Sequence, residues 1–239
     1  MGHAVLLIAI LQMVSLPGLA QTYSYQDYYA PRPTLYEQQH LKSVDLHLPA
    51  GQGNLAKGQY EGAVANAEFV LRYFPNHPQG LSLLSATCLR WNTPKCDATA
   101  DAWFQKAIAR NPDAVPTYML YAFHLQRKGH LKETVDAYRR ALALAPESVT
   151  AHYNLGLAYI ELKQYDLANQ HAQKSYQLGA PLPGLRTRLE KLGKWNANVS
   201  MPASDAKSGS EAKPASDAKP DGQAAPQGER TPDESPLTK

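Results

Sequence analysis

The sequence is poor in the groups on which most protein chemistry depends. Two cysteines, Cys88 and Cys96, stand in 239 residues, too few for a disulfide-built scaffold or a thiolate-rich metal centre. The eight histidines are scattered and no H-E-x-x-H pairing occurs. His124 and His130, the nearest pair in the middle of the chain, fall on different sides of a helical turn and are expected to be partly exposed packing residues. Neither a G-x-S-x-G elbow nor a Walker loop is found, so no hydrolase or phosphate-binding signature is present. Charge is nearly balanced, with 24 basic against 21 acidic residues and a net charge of +3. That balance excludes the basic footprint of a nucleic-acid-binding surface. The one long apolar run, from Ala4 to Val14, is shorter than the ~20 residues a membrane-spanning helix needs.

What is present divides the chain into parts. The opening "MGHAVLLIAILQMVSLPGLAQ" joins its apolar run to a breaker and to small Gly18 and Ala20, which suit a signal peptidase. Residues 1–20 are expected to be a signal peptide cleaved after Ala20, giving a periplasmic or secreted protein without a stable membrane anchor; a short anchoring helix is the alternative. In an oxidising compartment Cys88 and Cys96 are disulfide candidates, and a free buried Cys88 is the other reading. Residues 21–43 form a Tyr- and Pro-rich linker containing a possible first helix at the Thr34/Glu37 capping signature. In "GQGNLAKG", Gly51, Gly53 and Ala56 have the spacing of a dinucleotide loop. No strand precedes them, and a plain loop is expected. From 196 to 239 no aromatic residue occurs and "PASDAK" appears twice, a composition expected to be disordered. "NVS" at Asn198 is formally a glycosylation acceptor.

The middle of the chain repeats. Ala100, Thr134 and Ala168 stand 34 residues apart, as do Phe104, Tyr138 and Ala172, and Ala107, Ala141 and Ser175; Pro112 and Pro146 follow at the same interval. The preceding helices hold the same register: Leu84, Thr87, Cys88 and Trp91; Tyr118, Tyr121, Ala122 and Leu125; His152, Leu155, Gly156 and Tyr159. A weaker copy, with Ala63, Ala67, Val70 and Pro75, lies upstream, but Pro49, Gly51 and Gly53 interrupt the place of its first helix. Small residues at Gly156 and Ala168 predict close helix contacts, because a helix pair this short buries its apolar face only against neighbouring pairs. Leu182, Leu185, Leu189, Leu192 and Trp195 predict an amphipathic helix that covers the last face.

This large-x-x-large-small-x-x-large pattern at a spacing of 34 resembles the tetratricopeptide repeat. The resemblance implies an all-α fold, a right-handed α-solenoid over 44–195. Its parts are a degenerate unit at 44–77, units at 81–114, 115–148 and 149–182, and a capping helix at 183–195. It also implies a groove along the first helices, lined by Ser82, Ser85, Leu89, Met119, Phe123, Gln126, Arg127, Tyr153, Asn154, Leu157, Ile160 and Glu161, with Gln126 and Asn154 able to hold a peptide backbone. The alternative is that Met119, Phe123 and Tyr153 are ordinary packing between repeats. The expected function is a non-catalytic scaffold that binds a protein or peptide partner, with no cofactor, no metal and no nucleic acid, in assembly of an envelope or secretion machine. An accessory subunit of an envelope enzyme, or a small-ligand carrier, is the alternative. The Tyr-rich segment, with Tyr23, Tyr25, Tyr28, Tyr29 and Tyr36, is itself a candidate groove ligand, from a partner or from a second copy.

Overall fold

Most helices of the repeats begin or end where the sequence offers a cap or a breaker. In the computed structural model, which describes residues 26–32 and 34–197, ten helices and no strand occur among the described residues. They are α1 (Leu35–Asp45), α2 (His47–Ala56), α3 (Tyr60–Tyr73), α4 (Pro78–Trp91), α5 (Pro94–Arg110), α6 (Val115–Lys128), α7 (Leu131–Leu144), α8 (Val149–Glu161), α9 (Tyr165–Gln177) and α10 (Gly184–Lys191). The signal segment, Tyr23, Tyr25, Pro33, the Asn198 acceptor and the rest of the tail lie outside the described residues.

Thr34 caps α1 through a full capping box with Glu37, so two amide donors at the helix start are satisfied reciprocally. Pro78 and Pro94 open α4 and α5, where a missing amide costs nothing. The turns within pairs pass through the left-handed region at Gly58, Asn92, Gly129 and Lys163. The expected interruption at Pro49, Gly51 and Gly53 does not occur. Pro49 is the third residue of α2, inside the first turn, where no acceptor waits four residues back. The dinucleotide-like spacing therefore lies on a helix, not on the loop expected. Gly51 is there for contact, since a Cβ would stand 2.5 Å from Leu83.

Successive first helices touch, α2 with α4 and α4 with α6, while each second helix packs between the first helix of its own unit and that of the next. That arrangement is an all-α helical-repeat solenoid with the first helices on the inner face. Two apolar cores fill it: one around Leu71, Phe74, Leu84 and Phe104, the other around Tyr138, Leu155, Tyr159 and Ala168, and Tyr121 packs against both. Cys88 of α4 and Cys96 of α5 are joined in a disulfide across the turn at Asn92.

Both ends are tied down. Asp27 accepts hydrogen bonds from Asn76 Nδ2 at 2.6 Å, Asn111 Nδ2 at 2.9 Å and its neighbour Tyr29 N at 3.0 Å. Asn76 in turn accepts from Tyr28 N, and Gln26 N donates to Tyr73 O. Tyr28 packs edge-on against His77, and Arg32 lies over Tyr28 and Phe74. Residues 26–32 thus strap the turns that follow α3 and α5. At the other end α10 buries Leu185 and Leu189 completely, each a contribution of about 1.5–3 kcal/mol. The helix is shorter than the 183–195 expected: the left-handed Gly193 follows its last turn, Leu182 and Leu192 stay exposed, and Trp195 folds back edge-on to Tyr176.

Candidate partner-binding site

The inner face is not a uniform groove. Its open part is a cavity of about 270 Å³ between α4 and α6, lined by Ser82, Ser85, Ala86, Leu89, Arg90, Phe104, Leu120, Phe123 and Arg127. Leu89, Leu120 and Phe123 make the walls, Phe104 of α5 the base, and the two arginines stand at the edge. Phe123 is 49% exposed, an unusual cost for a phenyl ring on a helix that buries Tyr118, Ala122 and Leu125 on its other sides. Arg90 donates to the carbonyl of Leu55 at 3.3 Å, whereas Arg127 makes no hydrogen bond or ion pair among the described residues.

Beneath the cavity lies a polar contact that the sequence did not suggest. Ser85 Oγ is 2.9 Å from His124 Nδ1, and His124 Nε2 is 4.0 Å from Asp101. His124 is fully buried rather than partly exposed as expected, and desolvation holds it below the usual imidazole range despite the nearby Asp101 carboxylate. The three residue types are those of a hydrolytic triad, but the geometry is not: the carboxylate lies beyond hydrogen-bond distance of the ring. Ser85 and His124 satisfy one another inside the α4–α6 contact. The pairing spans 39 positions and three helices contribute to it, so no local motif could reveal it.

The remaining groove residues are already engaged. Gln126 Nε2 donates to Glu161 Oε1 at 2.9 Å, and Arg188 of α10 stands 3.9 Å from the same oxygen. Asn154 faces the buried Tyr138 hydroxyl, whose pKa burial pushes up to about 12. Tyr153 is half-buried, and its hydroxyl accepts from Leu185 N at 3.1 Å, which fixes the start of α10. Ile160 is buried in the second core, with Met119 and Leu157 packed against it. Of the expected lining, Ser82, Ser85, Leu89, Phe123 and Arg127 come together around one cavity, while Met119, Tyr153, Asn154, Leu157, Ile160, Gln126 and Glu161 serve packing and the seat of the capping helix. Ala86, Arg90, Phe104 and Leu120 complete the cavity and were not among the expected residues. The described part of the Tyr-rich segment lies on the turns of its own chain rather than in this cavity, because Asn76 and Asn111 offer it paired donors. Among the described residues no group of three or more metal-ligating side chains occurs.

A model of the TPR, or tetratricopeptide, repeat matches residues 125–163, which run from the end of α6 through α7 and α8. That stretch of the chain is a TPR repeat. The solved structure of Pseudomonas aeruginosa pilF shares the fold at a TM-score of 0.50 and 23% identity, over 64% of this chain and 70% of that one. Two curated relatives match part of the chain in sequence. A peroxisomal targeting signal receptor of Candida albicans is 36% identical over 75 residues, 31% of this chain. Mouse protein O-mannosyl-transferase TMTC3 is 28% identical over 110 residues, 46% of this chain. The chain spans 12% of the length of each of these two relatives.

Proposed function

We propose that this repeat protein is a non-catalytic adaptor that holds an extended segment of a partner polypeptide against its inner face, with one apolar side chain seated between α4 and α6. The observation that carries the reading is the half-exposed Phe123 ring standing with Leu89 and Leu120 over a cavity of about 270 Å³, beside the unpaired Arg127. A cavity of that size is below the ~300–1,000 Å³ of sites that enclose small molecules, which favours a side chain over a metabolite. Aromatic and arginine side chains are the usual anchors of protein interfaces. The likeness of part of the chain to part of a peroxisomal targeting signal receptor supports a polypeptide ligand. The apolar leader and the Cys88–Cys96 bond support a location outside the cytoplasm, where disulfides persist, and a role in assembling an envelope or secretion machine fits that location.

The test is a crosslinked pull-down with the parent and with Phe123→Ala combined with Arg127→Ala. Both substitutions lie on the exposed face and leave the cores intact, so circular dichroism should not change. Recovery of the parent's partner should fall by at least about tenfold. Undiminished recovery of the same partner would move the site elsewhere on the molecule.

A further inference from the structure

The seat between α4 and α6 has apolar walls, but a titratable group stands directly behind it. Ser85 lines the cavity while only 6% exposed, and its Oγ lies 2.9 Å from His124 Nδ1. Phe104, the base of the cavity, packs against the same imidazole with ring centroids 5.4 Å apart. His124 is thus one side chain away from the seat by two routes, although it does not line it.

The other neighbours of the ring set its state. From α5, Asp101 Oδ1 stands 4.0 Å from Nε2, and Asp97 acts on the ring while ion-paired with Lys128 of α6. Lys128 and His130 oppose a positive charge there, and α4 supplies the Ser85 hydroxyl. Asp101 Oδ1 is closed off from solvent and accepts no hydrogen bond among the described residues. Its charge favours the tautomer with the proton on Nε2, which leaves Nδ1 to accept from the Ser85 hydroxyl. In that state the hydroxyl is satisfied by the ring, and an apolar side chain can lie over it.

A second proton reverses the bond. Nδ1–H then donates to Ser85 Oγ, and the hydroxyl proton loses its acceptor beside the cavity. Water entering the cavity can supply a new one and can solvate the imidazolium; an apolar occupant can do neither. Burial already holds the ring below its ordinary range, so that water matters to the charged form.

We propose that the α4–α6 seat is proton-linked: protonation of His124 and occupation of the seat by an apolar side chain oppose one another, so the partner is held at neutral pH and released in acid. The inference rests on the adaptor reading above and adds its regulation. An occupant that keeps water from Ser85 lowers the proton affinity of His124, and by reciprocity the proton lowers the affinity for the occupant by the same factor. Affinity is therefore complete above the pKa of the ring in the empty seat, itself below 6.5, and is lost as the pH falls through it.

The probe is N-phenylnaphthylamine, a neutral aromatic amine that fluoresces on leaving water. It is titrated at about pH 7.5 and about pH 5, on either side of the imidazole range, where circular dichroism shows unchanged helicity. The parent should bind it about tenfold more weakly in acid, and Phe123→Ala should weaken binding at both values. His124→Asn, whose amide oxygen still accepts from Ser85 but takes up no proton, should bind alike at both. His171→Asn should keep the parent's pH dependence, which separates the local link from general loosening in acid. In the unsubstituted chain, an NMR titration should show His124 taking up its proton at an acid concentration about tenfold higher when the probe is saturating. Equal affinity at the two pH values, at a site that depends on Phe123, would overturn the proton link and leave the seat. Binding indifferent to Phe123→Ala would remove the apolar seat itself, and both readings with it.

Discussion

Gly156 shows how a single residue's smallness is legible while its neighbour is not. A glycine at this register position announces a close approach, and the expectation was contact between the two helices of the third unit. A Cβ at Gly156 would indeed stand 3.4 Å from the Ala168 carbonyl of α9, but it would meet Leu185 of α10 first, at 2.7 Å. The space was kept chiefly for the capping helix, which joins from 29 positions away and has no fixed place in the repeat. Gly156→Leu therefore drives a branched side chain into Leu185. The cost should be about 1–3 kcal/mol, typical of overpacked cores. Equilibrium urea unfolding measures it, and an unchanged midpoint would remove Gly156 from the α8–α10 contact. His124 illustrates the opposite case: its burial against Ser85 follows from the stacking of α4 on α6, and nothing within a few residues of either side chain encodes it.

At the level of elements, the helices whose register repeats every 34 residues were readable because periodicity and caps agree. α2 was harder to read, since proline and two glycines argue against a helix until the first turn's missing acceptors and the close contact with Leu83 are both counted. The groove was half readable for a related reason. Register places Leu89, Phe123 and Tyr153 on the same helix face, but α10 covers the Tyr153 end and leaves the Phe123 end open. The segment 26–32 was least readable, because it is held by hydrogen bonds to Asn76 and Asn111 across 49 and 84 positions rather than by a pattern of its own. Those bonds hold the Asp27 carboxyl below its usual range, although desolvation acts the other way. Asp27→Ala leaves the buried Asn76 amide without its acceptor, a loss of about 1–3 kcal/mol. Thermal unfolding of the variant should show a lower midpoint together with faster exchange at Gln26 and Tyr28. A parent-like midpoint would mean that the strap is not stabilising.

For the molecule as a whole, four buried imidazoles join Asp27 in the response to acid. His77, His124, His152 and His171 are all held below the ordinary value of 6.5, burial being the largest cause in each, and His171 reaches about 3. His152 Nε2 donates to the Pro146 carbonyl, which leaves His152 Nδ1 to accept from His171 Nδ1 at 2.9 Å; protonating His152 would break that contact, and protonating His171 would place a charge on its buried, unpartnered Nε2. The unfolded chain takes up protons near pH 6.5 that the native state refuses. Stability should thus be complete above that pH and decline as the pH falls from 6.5 towards about 3. His171→Asn, whose amide still donates to His152, should flatten the decline of Tm with acidification; a slope equal to the parent's would exclude His171 as a contributor. The strap at Asp27 also has a mechanical consequence. A solenoid pulled by one end unzips unit by unit, because each unit holds only its neighbours. Here tension on the chain's beginning reaches Asp27 before α1 and passes directly into the turns after α3 and α5. The load then falls on two units at once, across hydrogen bonds that must break together. A tether at this end would therefore pull on the interior of the array rather than peel its first helix.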